Sequence, residues 1–296
     1  MQFRERAQTE SKKKLSYALI ITLFFMGVEI VGGIITKSLA LLADAGHMFT
    51  DVGALGLSLF AFWLSSKHRT FKKTFGWYRF EIFAAFVNGL TLWIIAGVIV
   101  YEAYKRFQSP PEVRSGMMLI VASIGLLANL TSGMILFRSR EENLNVKGAF
   151  LHVLGDALGS LGVIIASLTI RFTGWMVVDP LVSILICILI LWSSWKLIKE
   201  SFHVLMEGSP TYLDINKVRE ALTLIHGVQK VHDLHIWSIT SGFVSLTAHL
   251  VVRENTDTQM VLDKSNNILS SKFGIHHSTI QVESINGNEC KIEPCD

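Results

Sequence analysis

Hydrophobic residues come in long blocks along the first two thirds of the chain. They cover about residues 15–36, 38–64, 80–101, 114–137, 148–170 and 177–198, each near or above the ~20 residues an α-helix needs to cross a bilayer. After Glu207 and Gly208 the pattern changes to that of a water-soluble domain. Asp214–Ile225 spaces Val218, Leu222 and Ile225 along one helix face behind a natural N-cap, Asp214. Val228–Ile239 and Phe243–Val252 read as a strand pair turning at Thr240, Ser241 and Gly242, with Leu246, Ala248 and Leu250 alternating. Thr256–Phe273 predicts a helix closed by Gly274, and Thr279–Ser284 a last short strand. The expected architecture is an α-helical polytopic membrane domain of six transmembrane helices plus a small α+β domain of order αββαβ, one sheet with two helices on a face. The boundaries that follow are a cytoplasmic N-terminal tail at 1–14, a membrane domain at 15–199 and a cytoplasmic domain at 200–296.

Composition agrees with the block pattern. Half of the 296 residues are hydrophobic and 17% are charged, against about 25% charged in a typical soluble domain. Mean hydropathy is +0.44. The net charge of +3 gives no reason to expect nucleic acid as a partner. The basic N-terminus runs straight into a full-length apolar span, so no cleavable leader is expected. Of the Lys and Arg residues near the spans, fifteen fall in the N-terminal tail, the loops at 65–79 and 138–147 and the end of the sixth span, and five in the opposite loops. That bias predicts both termini in the cytoplasm. Cys187 sits in an apolar span and Cys290 and Cys295 near the C-terminus, so a disulfide framework is not expected.

The second span, Ser38–Ser65, carries Asp44, His47 and Asp51. An ionisable group in the hydrocarbon region costs several kcal/mol, roughly 3 on insertion scales, unless it is paired. His47 and Asp51 are four apart and share a helix face, and the spacing recurs in the fifth span as His152 and Asp156. With the two spans running in opposite directions, His47 should meet Asp156 and Asp51 should meet His152. Two imidazoles and two carboxylates make a closed set suited to tetrahedral Zn²⁺. The bland alternative is a pair of buried interhelical His–Asp hydrogen bonds. Asp44 shares the face one turn nearer the outside, where it either guides cations or protons or serves the helix start. Glu29, Asn88 and Asn129 are read as interhelical hydrogen-bonding groups, and Gly46, Gly53, Gly56, Gly155, Gly159 and Gly162 as sites of close helix approach. The loop at 65–79, with His68, Lys72 and Lys73, reads as a solvated or anionic-lipid-facing edge.

The C-terminal region concentrates His232, His235, His249, His276, His277, Glu283, Cys290 and Cys295. Strand residues two apart share a face, so a second metal site is credible there. Half-buried surface histidines and a reduced tail are the alternatives.

LLADAGHMFTD (41–51), TFGWYRFE (74–81), HVLGDALGS (152–160), DP (179–180) and VHDLHIWSIT (231–240) together resemble the cation diffusion facilitator family, in its zinc-transporting CzcD/ZnT-like branch. The resemblance covers nearly the whole chain from about residue 15. It implies six membrane helices, a ferredoxin-like, metallochaperone-like cytoplasmic domain, a homodimer in a lipid bilayer, and metal efflux driven by protons. It carries the transport ligands onto His47, Asp51, His152 and Asp156, and favours Zn²⁺, with Cd²⁺ or Co²⁺ as further cargo. Cytoplasmic ligands map onto His232, His249, His276, Glu283, Cys290 and Cys295. The location implied is a multi-pass position in a membrane, taken as the bacterial plasma membrane. The chain departs from the pattern in three ways: no His-rich insert at 138–147, no His or Cys in the N-terminal tail, and terminal cysteines five apart rather than three. The adjacent His276 and His277 also leave that ligand assignment open between the two. An intramembrane metallohydrolase is disfavoured, because catalytic zinc keeps three protein ligands and an open position and no HExxH motif occurs. A membrane-anchored metal sensor would have no use for a buried four-ligand site.

Overall fold

The structure is a computed structural model. It describes the backbone of residues 2–65, 71–137 and 144–285, and side-chain surroundings mainly over 19–49, 71–131 and 154–285. Six long helices come first: α1 (Gln2–Thr36), α2 (Leu39–Ser65), α3 (Tyr78–Gln108), α4 (Ser115–Phe137), α5 (Leu144–Thr173) and α6 (Val178–Leu205). Among the described residues, four apolar segments are long enough to cross a membrane: Leu19–Thr36, Tyr78–Gln108, Leu154–Thr173 and Val178–Leu205. The described apolar parts of α2 and α4, Leu39–Phe49 and Ser115–Thr131, are shorter.

Two helices outrun the apolar blocks. The polar stretch before residue 15 continues α1 back to Gln2, being rich in Gln, Glu, Arg and Lys, which favour helix. α3 runs on to Gln108 with Lys105 and Arg106 in its last turn, where positive charge suits the helix C-terminus.

The chain forms two compact units, one of residues 1–66 and 84–198, the other of 67–83 and 199–296. In the first, Leu41, Leu92, Ala96, Met118, Ala122, Val163, Ala166 and Ile190 make a close-packed interior. Large apolar side chains such as Phe24, Ile94, Leu127, Leu158, Ile188 and Trp192 face outward. A surface of that kind is stable against lipid and not against water.

The second unit contains α7 (Ile215–Thr223), β1 (Val228–Thr240), β2 (Phe243–Val252), α8 (Thr258–Phe273) and β3 (His277–Ser284), the expected αββαβ order. Asp214 caps α7 through Asn216 N. Asp257 caps α8 by accepting from Gln259 N and Met260 N, which is why that helix starts two residues later than its pattern suggested. The sheet runs β1-β2-β3, antiparallel across the hairpin and parallel between β2 and β3. On the central strand Leu246, Ala248, Leu250 and Val252 join Val218, Leu222, Val261 and Leu269 of the helices in one core. The alternate positions Phe243, Ser245, Thr247, His249 and Val251 therefore belong to the opposite, helix-free face.

Candidate metal centres

α2 begins under unusual control. Ser38 Oγ accepts from Leu41 N at 3.2 Å and donates to Asp179 Oδ1 at 2.6 Å. Asp179, fully buried near the start of α6, also accepts from Leu39 N at 2.7 Å and Ala40 N at 3.2 Å. Arg106 Nη1 lies 3.4 Å from the same carboxylate and donates to Lys37 O at 2.6 Å. One carboxylate thus satisfies two of the orphan N–H groups of α2 and ties together helices far apart in sequence.

One turn into α2, buried Asp44 accepts from Ser160 Oγ of α5 at 3.4 Å. A Cβ on the neighbouring Gly159 would lie 2.9 Å from Asp44 Oδ1, so glycine is what permits this approach. One turn further, His47 Nε2 stands 3.1 Å from Asp156 Oδ1. As α2 advances from 44 to 47, its partner positions on α5 retreat from 160 to 156. The helical backbone continues through both Asp51 and His152, whose side chains lie outside the described residues. Asn88 of α3 sits against Gly53 of α2, within 2.8 Å of where a Cβ would stand. Among the described residues, Glu29 Oε2 is buried without a hydrogen-bond partner. Its Oε1 lies 3.1 Å from the Cβ position of Gly125, a residue too small to donate from a side chain.

In the second unit, His232 on β1 pairs across from His249 on β2. Their rings meet edge-on at 5.2 Å between centroids. Glu283 on β3 reaches both, with Oε2 3.1 Å from His232 Nε2 and Oε1 2.9 Å from His249 Nδ1. Ligand atoms of the three lie within 4.8 Å of one another. Buried His249 Nδ1 makes no well-aligned hydrogen bond in spite of that short contact. Two imidazoles and a carboxylate converging on one point suit Zn²⁺, with a fourth coordination position left over.

Asp233, left out of the sequence-derived ligand set, organises this face. Its positive φ of 48° marks a bulge between His232 and His235. The extra residue lets two histidines three apart share a face, opposite His249 and Thr247, which are two apart. Asp233 Oδ1 holds His235 Nε2 at 2.9 Å and Oδ2 lies 3.6 Å from His249 Nε2. The His235 hydrogen bond, and then the nearby imidazoles, hold the Asp233 carboxyl below its usual value. The sequence did offer a signal, a carboxylate between the two histidines of VHDLHIW, but nothing in it revealed the bulge. His276 is exposed just ahead of β3 and is not in the group of three. His277 instead packs edge-on against Phe75 and Phe243. Cys290 and Cys295 lie outside the described residues.

Known proteins with similar sequences bear on the family of the chain. The cation efflux transmembrane domain family matches residues 15–206, and the family described as cation efflux protein, cytoplasmic domain, matches 210–285. The cadmium, cobalt and zinc/H(+)-K(+) antiporter of Bacillus subtilis is 44% identical over 282 residues, 93% of this chain and 89% of the relative. The metal cation efflux system protein CzcD of Cupriavidus metallidurans is 45% identical over 274 residues, covering 92% and 87% respectively. The zinc transporter ZitB of Escherichia coli is 44% identical over 289 residues, covering 96% and 92%. A solved structure, the metal-bound C-terminal domain of the CzcD transporter, is 42% identical and covers 24% of this chain and 99% of its own, at a TM-score of 0.23.

Proposed function

Because the chain belongs to the cation efflux family of metal transporters, not to any family of enzymes, we propose that it exports Zn²⁺ from the cytoplasm in exchange for protons. The cargo passes through His47, Asp51, His152 and Asp156, between α2 and α5. The single observation that carries this reading is the opposed register of the two helices, with Asp44 at Ser160 and His47 at Asp156. Continued by one helical turn, the same register brings Asp51 to the level of His152 and closes a four-ligand set. The neighbouring Gly159 keeps α5 close enough for both contacts.

The ligand chemistry supports exchange rather than storage. Zn²⁺ with two carboxylates and two neutral imidazoles is neutral overall, and so are two carboxylates with two imidazolium ions. Swapping metal for protons therefore leaves no large charge in the bilayer in either state. An imidazole must lose its proton before its nitrogen can bind the cation, which links the two fluxes at the ligand atoms themselves. The names of the relatives point to Cd²⁺ and Co²⁺ as further cargo.

His232, His249 and Glu283 would hold a regulatory Zn²⁺ in the cytoplasmic domain, with Asp233 orienting His249 through its free nitrogen. The Lys and Arg bias supports a cytoplasmic position for both termini, and the match to a dimerising domain type supports a homodimer. The test is zinc flux into inside-out vesicles with and without an imposed pH gradient. Uptake that depends on an acidic interior supports antiport. Equal uptake without a gradient, or none with one, overturns it.

A further inference from the structure

Residues 71–79 lie on the helix-free face of the cytoplasmic sheet and enclose a cavity of about 890 Å³ with it. The segment is clamped there by aromatic rings. Phe75 meets Phe243 at 6.5 Å and His277 at 5.5 Å, and Tyr78 meets Phe243 at 5.6 Å, all edge-on. Lys72, Lys73 and Arg79 line the cavity, together with Tyr78, His235 and Thr247. Among the described residues the only carboxylate in the lining is Glu207, and it is engaged by Arg79 Nη2 at 2.8 Å. Lys73 Nζ rests over the Trp77 ring, 2.7 Å from its centroid. An aromatic face attracts a cation without neutralising it, so the wall keeps an excess of positive charge.

We propose that this cavity binds a phosphate group. The positive excess excludes the transported cation and favours an anion. Two ammonium groups and a guanidinium fork around one space match the several oxygens of a phosphate better than the two of a carboxylate. Tyr78, Thr247 and His235 supply neutral hydrogen-bonding groups on the remaining sides. The phosphate has two possible sources. Tyr78 and Arg79 open α3, an apolar span, so the headgroup of an anionic phospholipid is close at hand. A soluble phosphate from the cytoplasm offers the same chemistry. The wall residue His235 is also held by Asp233, which reaches His249. The anion cavity therefore borders the candidate zinc group through one side chain.

The experiment uses the full-length protein in lipid nanodiscs and follows backbone hydrogen exchange of residues 71–79 and 234–237. One arm adds millimolar inorganic phosphate to phosphatidylcholine discs, with chloride holding the ionic strength constant. The other replaces part of the phosphatidylcholine with phosphatidylglycerol and adds no phosphate. Exchange should slow several-fold in at least one arm. Slowing by inorganic phosphate identifies a soluble ligand, slowing by phosphatidylglycerol a lipid headgroup, and slowing in both a site open to either. The K72S/K73S protein should lose the response and K72R/K73R should keep it. Thr247→Glu places a carboxylate inside the cavity and leaves the lysines on the surface, so it should also abolish the response. No slowing in either arm overturns the proposal. So does a K72S/K73S protein that responds like wild type. Slowing that survives Thr247→Glu also overturns it, because it would reflect general attraction of a basic loop to the bilayer.

Discussion

At the scale of single residues, the membrane site turns on the His47–Asp156 contact of 3.1 Å. In the proposed site, Asp156→Ala or Asp51→Ala removes one of two anionic ligands and would leave a bound cation under-compensated in a medium that does not tolerate charge. Zinc flux in either variant should fall to background, with the protein still folded and dimeric by size-exclusion chromatography. Flux near wild type in either would remove that residue from the transport site. At His47 the expected effect is on selectivity. His47→Asp exchanges a borderline nitrogen donor for a hard oxygen, so Mn²⁺ should compete with Zn²⁺ more strongly than in wild type. Competition flux assays read this directly, and an unchanged metal order would mean His47 does not discriminate. In the cytoplasmic group, Asp233 acts through charge. Its folded pKa is depressed from 3.8, first by the His235 hydrogen bond. Its contribution to stability is therefore present above that unfolded value and is lost only as pH falls through the lower folded one. At neutral pH it is ionised, with Oδ1 on His235 Nε2 and Oδ2 3.6 Å from His249 Nε2.

At the scale of elements, α2 carries two of the four proposed transport ligands, and Asp179 caps its first turn. The carboxylate accepts from Ser38 Oγ, Leu39 N and Ala40 N with no exposure to solvent. Asp179→Asn keeps the shape but replaces one acceptor with a donor, leaving buried groups of α2 unpaired at a cost of about 1–3 kcal/mol. Thermal stability should drop, and zinc flux should fall further than the loss of folded protein accounts for, because Asp44 and His47 lie only five and eight residues beyond the cap. A variant with wild-type melting and flux would show that α2 is positioned by packing alone. The sequence marked Asp179 only as half of the Asp-Pro pair at 179–180 that contributes to the family resemblance, since a cap contributed from 140 residues away leaves no local pattern. By contrast, α2 itself, the His-x-x-x-Asp spacings and the αββαβ order were all legible, because 3.6- and two-residue periods are local. The bulge at Asp233 was not. It breaks the two-residue period that would otherwise put His232 and His235 on opposite faces, and His276, just ahead of β3, is not in the group of three that the described residues form.

At the scale of the whole molecule, the two candidate metal sites differ in what they can do. His232, His249 and Glu283 sit on the sheet of the small C-terminal α+β domain, outside the apolar helices, and cannot by themselves carry a cation across a bilayer. Their effect must come through binding free energy. A zinc ion held by this group shifts an equilibrium between transporter states only by its difference in affinity for them, typically ~1–3 kcal/mol of coupling, or about 5- to 150-fold. Removing it should tune transport without abolishing it. The direct measurement is flux against free zinc for the His232→Ala/His249→Ala double variant, run beside Asp156→Ala. The double variant should show a several-fold lower rate or a several-fold weaker apparent affinity, while Asp156→Ala shows no flux at all. Both changed residues lie on the helix-free face of the sheet, away from the core of Val218, Leu222, Leu246, Leu250 and Leu269, so the domain should keep its fold and circular dichroism can verify it. If the double variant is folded and as inactive as Asp156→Ala, the cytoplasmic group belongs to the transport path itself. If it matches wild type at every zinc concentration, the three residues bind no metal that matters to transport, and the convergence of His232, His249 and Glu283 is a structural contact between strands.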